Sequence, residues 1–309
     1  MGLDFIRWVQ SLHSPLLDRL MLWITMLGEE DFYLLFGPII FWCFGAALGM
    51  RLLVLLLTSF YLNDVVKDLV AWPRPTVAYP EQVRLPEGAA ETASDEAGRW
   101  EPGFPSGHAQ NGVVFWGFIA DWLRRTWVVA ASVVVALLIA FSRIYLGVHW
   151  PGDVLGGWAI GLTIFGLFLV LVPGLAALAP SRREQLLLGG AALGLLLFLL
   201  DQDLDRSKIL GFWSGAFVAY LLQQRYVPFR VRAPVWQQLA KILVGLAGVF
   251  ALRAALKAGL PATAWANWLR YALVAIWVAA AAPALFRLLF GSPDENVPAR
   301  TAAQAGRPG

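Results

Sequence analysis

The sequence predicts an all-α fold, a polytopic membrane helical bundle, on three observations. Of its 309 residues 59% are hydrophobic and 15% charged, with a mean hydropathy of +0.63, whereas soluble domains carry about 25% charged residues. Apolar runs of bilayer-crossing length, about 20 residues each, recur from residue 32 to residue 290. The single cysteine, Cys43, cannot form an internal disulfide, and the formal charge of +3 is dispersed along the chain. Together these exclude a soluble globular enzyme, a secreted disulfide scaffold, a disordered chain and a nucleic-acid partner.

The elements follow in order. Residues 1–31 read as an N-terminal interfacial helix or a degenerate first span, because Pro15, Asp18 and Arg19 interrupt the apolar run and leave only 16–28 clean. A basic leader and a small-residue cleavage site are both missing there, so this stretch is assigned to the mature protein. Spans are then predicted at 32–49, 51–71, 107–123, 127–146 and 154–172, which make a core over 32–173. Residues 73–105 form one long polar loop rich in Pro, Gly, Ala and acidic side chains, of a length that is either functional or disordered. Pro173 and Pro180, with the Arg182-Arg183 pair, mark a boundary. Beyond it, 174–290 holds spans at 185–200, 208–223, 238–257 and 265–290, and 291–309 reads as a disordered tail. Gly190/Gly194 and Gly211/Gly215 have the GxxxG spacing that permits close helix packing, though such matches arise readily in a Gly- and Ala-rich chain.

Orientation comes from the basic residues, which collect on the cytoplasmic side. With the 73–105 loop outside, twelve Lys and Arg residues, among them Arg124, Arg125, Arg182, Arg183, Arg230 and Arg232, face seven on the other side besides Lys67, Arg74 and Arg143. The loop itself is acidic (Glu81, Glu87, Glu91, Asp95, Glu96, Glu101). This places it on the extracytoplasmic face.

Polar residues gathered at span ends are where a bilayer protein keeps its chemistry. Three clusters fall on that face. In Lys67-Asp-Leu-Val-Ala-Trp-Pro73-Arg74-Pro75 the two prolines stop the helix, and the turn can bring Arg74 back over Lys67. In Phe104-Pro105-Ser106-Gly107-His108, Ser106 suits an N-cap, and the helix start with its glycine is a ready anion site. In Ser142 to Asp153, Gly147 can end one helix and Pro151 start the next, which sets His149 and Asp153 about one turn apart. A carboxylate there can hold the imidazole in one tautomer. Singly, each cluster has an ordinary account: snorkelling cations, a plain helix cap, a structural His–Asp contact. Jointly they put two of the chain's three histidines with Lys67, Arg74 and Arg143 at one surface. That set suits phosphoryl transfer, with cations on the equatorial oxygens, one imidazole attacking and one protonating the leaving oxygen. The chain shows no dedicated metal-ligand cluster, and none is needed if these cations carry the charge.

These motifs resemble those of the type 2 phosphatidic acid phosphatases: Lys67 with Arg74-Pro75, then Pro105-Ser106-Gly107-His108, then Ser142-Arg143 with His149 and Asp153. All three parts match without an exception over about 30–173. The resemblance implies a six-helix core in which 5–28 would serve as the first span, and the apolar runs beyond that core add about four C-terminal transmembrane helices. It implies that His149 is the nucleophile, oriented by Asp153, and that His108 is the general acid. Lys67, Arg74, Ser106, Gly107 and Arg143 would bind the phosphate, with no metal or other cofactor. It further implies a lipid phosphate or diphosphate as substrate in a bacterial inner membrane, with undecaprenyl diphosphate the first guess and phosphatidylglycerol phosphate, phosphatidic acid and sphingoid phosphates also open. The alternatives are a lipid phosphotransferase using the same phosphohistidine, a non-enzymatic lipid transporter or scaffold, and a phosphatase of soluble esters.

Other polar residues say less. Asn63 and Asp64 precede Lys67 by one turn, and Gln110 and Asn111 either line the site or bond a neighbouring helix. Asp201, Asp203 and Asp205 have calcium-loop spacing, but Arg206 replaces the required glycine and Phe212 the closing glutamate. The C-terminal block carries no histidine, and core packing, homo-oligomer formation and shaping a lipid groove are its open roles.

Overall fold

The computed structural model describes residues 2–94, 98 and 100–291. Asp95, Glu96 and the tail from 292 onward, with Arg300 and Arg307, lie outside the described residues. The chain is an all-helical membrane protein. Its helices are α1 (Gly2–Gln10), α2 (Pro15–Met26), α3 (Glu30–Cys43), α4 (Ala46–Val70), the single turn α5 (Pro75–Ala78), α6 (Gly107–Leu123) and α7 (Thr126–Tyr145). They continue with α8 (Pro151–Ala177), α9 (Pro180–Leu200), α10 (Leu204–Tyr226), α11 (Val235–Gly259), α12 (Ala264–Ile276) and α13 (Ala282–Phe290). Six described stretches are long and apolar enough to cross a bilayer: Ala46–Ala78, Thr126–Tyr145, Pro151–Leu175, Pro180–Leu200, Val235–Gly259 and Ala264–Phe290.

The N-terminal stretch is two short helices rather than one span. Ser14 caps α2, its Oγ accepting from Leu17 N at 3.2 Å, and Pro15 opens the helix, so the chain breaks over 11–14. At 9 and 12 residues, these helices are about 14 and 18 Å long, short of the roughly 30 Å of hydrocarbon. The span expected over 32–49 is also interrupted. Helix α3 ends at Cys43, and α4 folds back so closely that a Cβ on Gly49 would lie 2.5 Å from Phe41 Cα.

Among the described residues the chain divides into two compact units, the first within 2–33 and 58–170, the second within 34–57 and 171–291. In the first, α1 and α2 pack on α7, and Ile6, Val9 and Met21 share a core with Val83, Ala89, Ala93 and Leu146. The 73–105 loop is therefore built into that core where it is described. Gln10 fastens it, donating from Nε2 to Arg84 O and Tyr145 O and accepting from Arg84 N. Helix α6 lies on α7 and is tied to α4 by buried amides: Gln110 donates to Ser59 O, Ser59 to Asn111 Oδ1, and Asn63 to Gln110 Oε1. Gln110 and Asn111 thus bond a neighbouring helix, the second of the two roles open to them, with Asn63 as one partner.

In the second unit α10 runs between α9 and α12. The Gly211/Gly215 pair is a true contact, since added Cβ atoms would lie 2.1 Å from Trp268 O and 2.4 Å from Ala272 O. Enclosure by protein accounts for the polarity of α10, which buries Ser207, Ser214 and Gln223. The aspartates before it are caps: Asp203 Oδ1 accepts from Asp205 N and Arg206 N.

One turn has no tolerance for a side chain. Gly147, between α7 and α8, has φ +76, and a Cβ there would lie 2.7 Å from Val83 Cγ1 and 2.8 Å from Arg84 O. Gly147→Ala is expected to destabilise the protein by about 1–3 kcal/mol, read as a lowered thermal midpoint in detergent. An unchanged midpoint would show that this turn can relax.

Candidate active site

The first strip of the site is set by the end of α4. Ala71 takes a left-handed conformation (φ 51) after its N–H bonds Lys67 O at 2.8 Å, and Pro73 and Pro75 prevent further helix. The chain reverses, and Lys67 and Arg74 meet at Glu101. Lys67 Nζ pairs with the Glu101 carboxylate, Arg74 Nε donates to Glu101 O at 2.7 Å, and Arg74 NH2 lies 3.8 Å from Oε2. The Lys67 cation beside Glu101 holds its carboxyl below the usual carboxylate range against the opposing effect of burial.

The second strip is the start of α6. Ser106 is its N-cap, with Oγ 3.4 Å from Ala109 N, and its own N–H donates to Asp153 O at 3.0 Å. That bond ties the helix start to the third strip. Gly107 has Asn63 beside it, with Oδ1 3.0 Å from where a Cβ would sit. His108 follows, with Nε2 3.0 Å from Glu29 Oε1.

The third strip is the α7–α8 turn, capped as the sequence predicts by Gly147 and Pro151. His149 is buried (1% exposed), with Nδ1 3.3 Å from Asp153 Oδ2 and Nε2 2.9 Å from Arg74 NH1. A guanidinium has donors only. Nε2 must therefore accept from Arg74, which leaves the ring proton on Nδ1, facing Asp153. Asp153 is itself held by Trp150 N, which donates to Oδ2 at 2.9 Å. Burial, then the cations Arg74, Arg143 and Lys67, push the His149 pKa well below its ordinary value. The imidazole is neutral at pH 7, with its lone pair on the nitrogen that faces the cations.

Arg143 is fully buried and braced from two directions. NH1 donates to Thr25 Oγ1 at 2.7 Å and to Thr92 Oγ1 at 2.8 Å, and NH2 to Thr92 O at 2.7 Å. Its Nε has no partner among the described residues, so one donor of a rigid guanidinium is left over. All eight sequence-predicted residues thus lie in one region of the first unit. The sequence did not single out Glu29, Thr25, Thr92 or the role of Glu101. Thr25 and Thr92 bear no motif, and Glu101 read only as one acid among several in the loop.

The fold and this site define an integral membrane protein that gathers two histidines and three cations at one end of a helical unit. Residues 48–176 match the PAP2 superfamily, and residues 207–292 match the PAP2 superfamily phosphatase transmembrane extension. The chain is 31% identical over 169 residues to phosphatidylglycerophosphatase B of Bacillus subtilis, covering 50% of this chain and 75% of that one. It is 27% identical over 193 residues to lipid phosphate phosphatase delta of Arabidopsis thaliana, covering 59% of this chain and 45% of that protein. With sphingosine-1-phosphate phosphatase 2 of Mus musculus it shares 32% over 147 residues, 46% of this chain and 38% of that one. The chain therefore spans less than half the length of these two eukaryotic relatives. It belongs to the PAP2 superfamily.

The electrostatics of His149 can be read directly, because the chain has only three histidines to assign. Ring-nitrogen NMR is expected to find His149 neutral from pH 8 to pH 6, and Arg74→Ala to move its titration upward while burial still holds it below the ordinary histidine value. The sign for stability follows. With the folded pKa depressed, the unfolded chain takes the proton first, so this contribution is full above about 6.5 and is lost as pH falls through the folded value. A His149 that titrates at 6.5 or above in the wild type would contradict the assignment.

Proposed function

We propose that the chain is a membrane-embedded lipid phosphatase that removes phosphate from a lipid headgroup through a phosphohistidine. The observation that carries this reading is the Nε2 of a neutral, Asp153-backed His149 lying against Arg74, within the field of the Lys67 and Arg143 cations. In the proposed reaction these cations and the α6 N-terminus at Ser106 and Gly107 hold the phosphate oxygens. Nε2 attacks phosphorus, a P–N bond forms, and the ester P–O bond breaks. His108 gives its proton to the departing alkoxide. Water, losing a proton to His108, then cleaves the P–N bond and releases inorganic phosphate. General acid work of this kind contributes about 10²–10⁴ in rate.

A lipid substrate fits a catalyst built at span ends, because its chains stay in the bilayer while its headgroup enters the polar site. The named relatives act on lipid phosphomonoesters, which favours a monoester over undecaprenyl diphosphate as the first substrate to test. The Lys and Arg asymmetry supports an extracytoplasmic opening in a bacterial inner membrane. The metal-free chemistry implied by the motif resemblance remains part of the proposal.

Phosphate release by the detergent-solubilised chain, across lipid phosphomonoesters and diphosphates with EDTA present, tests this. Release from at least one lipid, reduced by at least about 10³-fold in His149→Ala, is the expected result. No release from any lipid by folded protein would remove the hydrolase reading, and strict dependence on added Mg²⁺ would remove its metal-free form.

A further inference from the structure

Glu101 occupies the donors that the proposed reaction assigns to the phosphate. Its carboxylate pairs with Lys67 Nζ, and Oε2 lies 3.8 Å from Arg74 NH2. The main chain of the same residue is held separately: Arg74 Nε donates to its carbonyl at 2.7 Å, and its N–H bonds Ala93 O at 3.3 Å. The Glu101 side chain is 38% exposed while those of Lys67 and Arg74 are 13% and 2% exposed. Rotation about the side-chain bonds alone would therefore vacate the subsite, with the backbone anchor left in place. A fixed negative charge has no use beside a phosphorus under attack, since it repels the dianion that must enter.

The charge of a carboxylate sets what can displace it. Bulk membrane phospholipids are phosphodiesters with one negative charge on the phosphate, whereas a phosphomonoester carries about 1.5 to 2 at neutral pH. A single-charged resident competes on equal terms with the diester and at a disadvantage with the monoester. We propose that the Glu101 carboxylate is a resident anion of the Lys67–Arg74 subsite, a specificity-determining group that excludes phosphodiester headgroups and yields to the phosphomonoester of the substrate. This rests on the hydrolase reading for the identity of the substrate, but not for the competition itself.

The test measures equilibrium binding to the purified full chain, by calorimetry, with inorganic phosphate as the monoester-like probe and dimethyl phosphate as the diester probe. Glu101→Gln is expected to bind inorganic phosphate about tenfold more tightly than wild type, the size of one lost charge-assisted hydrogen bond. It is also expected to gain dimethyl phosphate binding that the wild type lacks. Glu101→Ala serves as a second variant and is expected to shift the same way. Phosphate binding unchanged or weakened in both folded variants would overturn the proposal and make Glu101 a brace for Lys67 and Arg74. Tighter phosphate binding with no gain of dimethyl phosphate binding in either variant would overturn the exclusion of phosphodiesters. Hydrolysis assays are independent: the binding shift without turnover on any lipid would sustain the competition and remove the hydrolase reading, and turnover without the shift would do the reverse.

Discussion

Lys67, Arg74 and Arg143 are held together at one end of a helical unit, two of them almost wholly buried. The cost of keeping them there organises the rest of the site. A buried charge is tolerated only when its donors are answered. Arg143 is answered by neutral oxygens of Thr25 and Thr92, and Arg74 by the carbonyls of Glu101 and Val148 and by His149 Nε2. None of these removes the positive charge. The nearby carboxylates do so only in part: Glu101 sits on Lys67, Glu29 on His108, and Asp153 lies behind His149. Burial and this residual positive charge together keep His149 neutral, and in the proposed reaction the charge is what draws a phosphate in.

The scaffold explains how such a cluster survives in a chain that is mostly apolar. Each functional side chain sits at a helix end or in a turn, where the backbone leaves the regular ladder and polar groups can converge. Pro73 and Pro75 stop α4, Ser106 starts α6, and Gly147 and Pro151 join α7 to α8. The ends are then locked to each other by backbone bonds such as Ser106 N to Asp153 O, and by the buried amides between α4 and α6. The 73–105 loop belongs to this lock, since Thr92 braces Arg143 and Glu101 receives Arg74.

What was legible in the sequence tracks what is local. Proline, glycine and serine punctuation gave the α4 stop, the α6 cap and the α7–α8 turn correctly, because those effects act over a few residues. The histidines and cations stood out because a bilayer protein has so few polar groups. Two things did not show. The break at 44–45 falls inside a long apolar run, where hydropathy has no contrast to offer, so a helical hairpin reads as a span. The braces Thr25, Thr92 and Glu29 are ordinary residues whose role depends on contacts across the fold, up to 118 positions apart in the case of Thr25 and Arg143. Only the folded chain brings them to the site.

The central claim is that His149 Nε2 is the atom that receives the phosphoryl group. The most direct measurement is a rapid acid-free quench of the chain turning over a ³²P-labelled lipid phosphomonoester, using His108→Ala to slow the second step, followed by mapping of the label. The account predicts a stoichiometric phosphoryl adduct on His149, labile to acid and stable to base, and absent from His149→Ala. Label on another residue, or turnover with no protein-bound phosphate at any time, would contradict it.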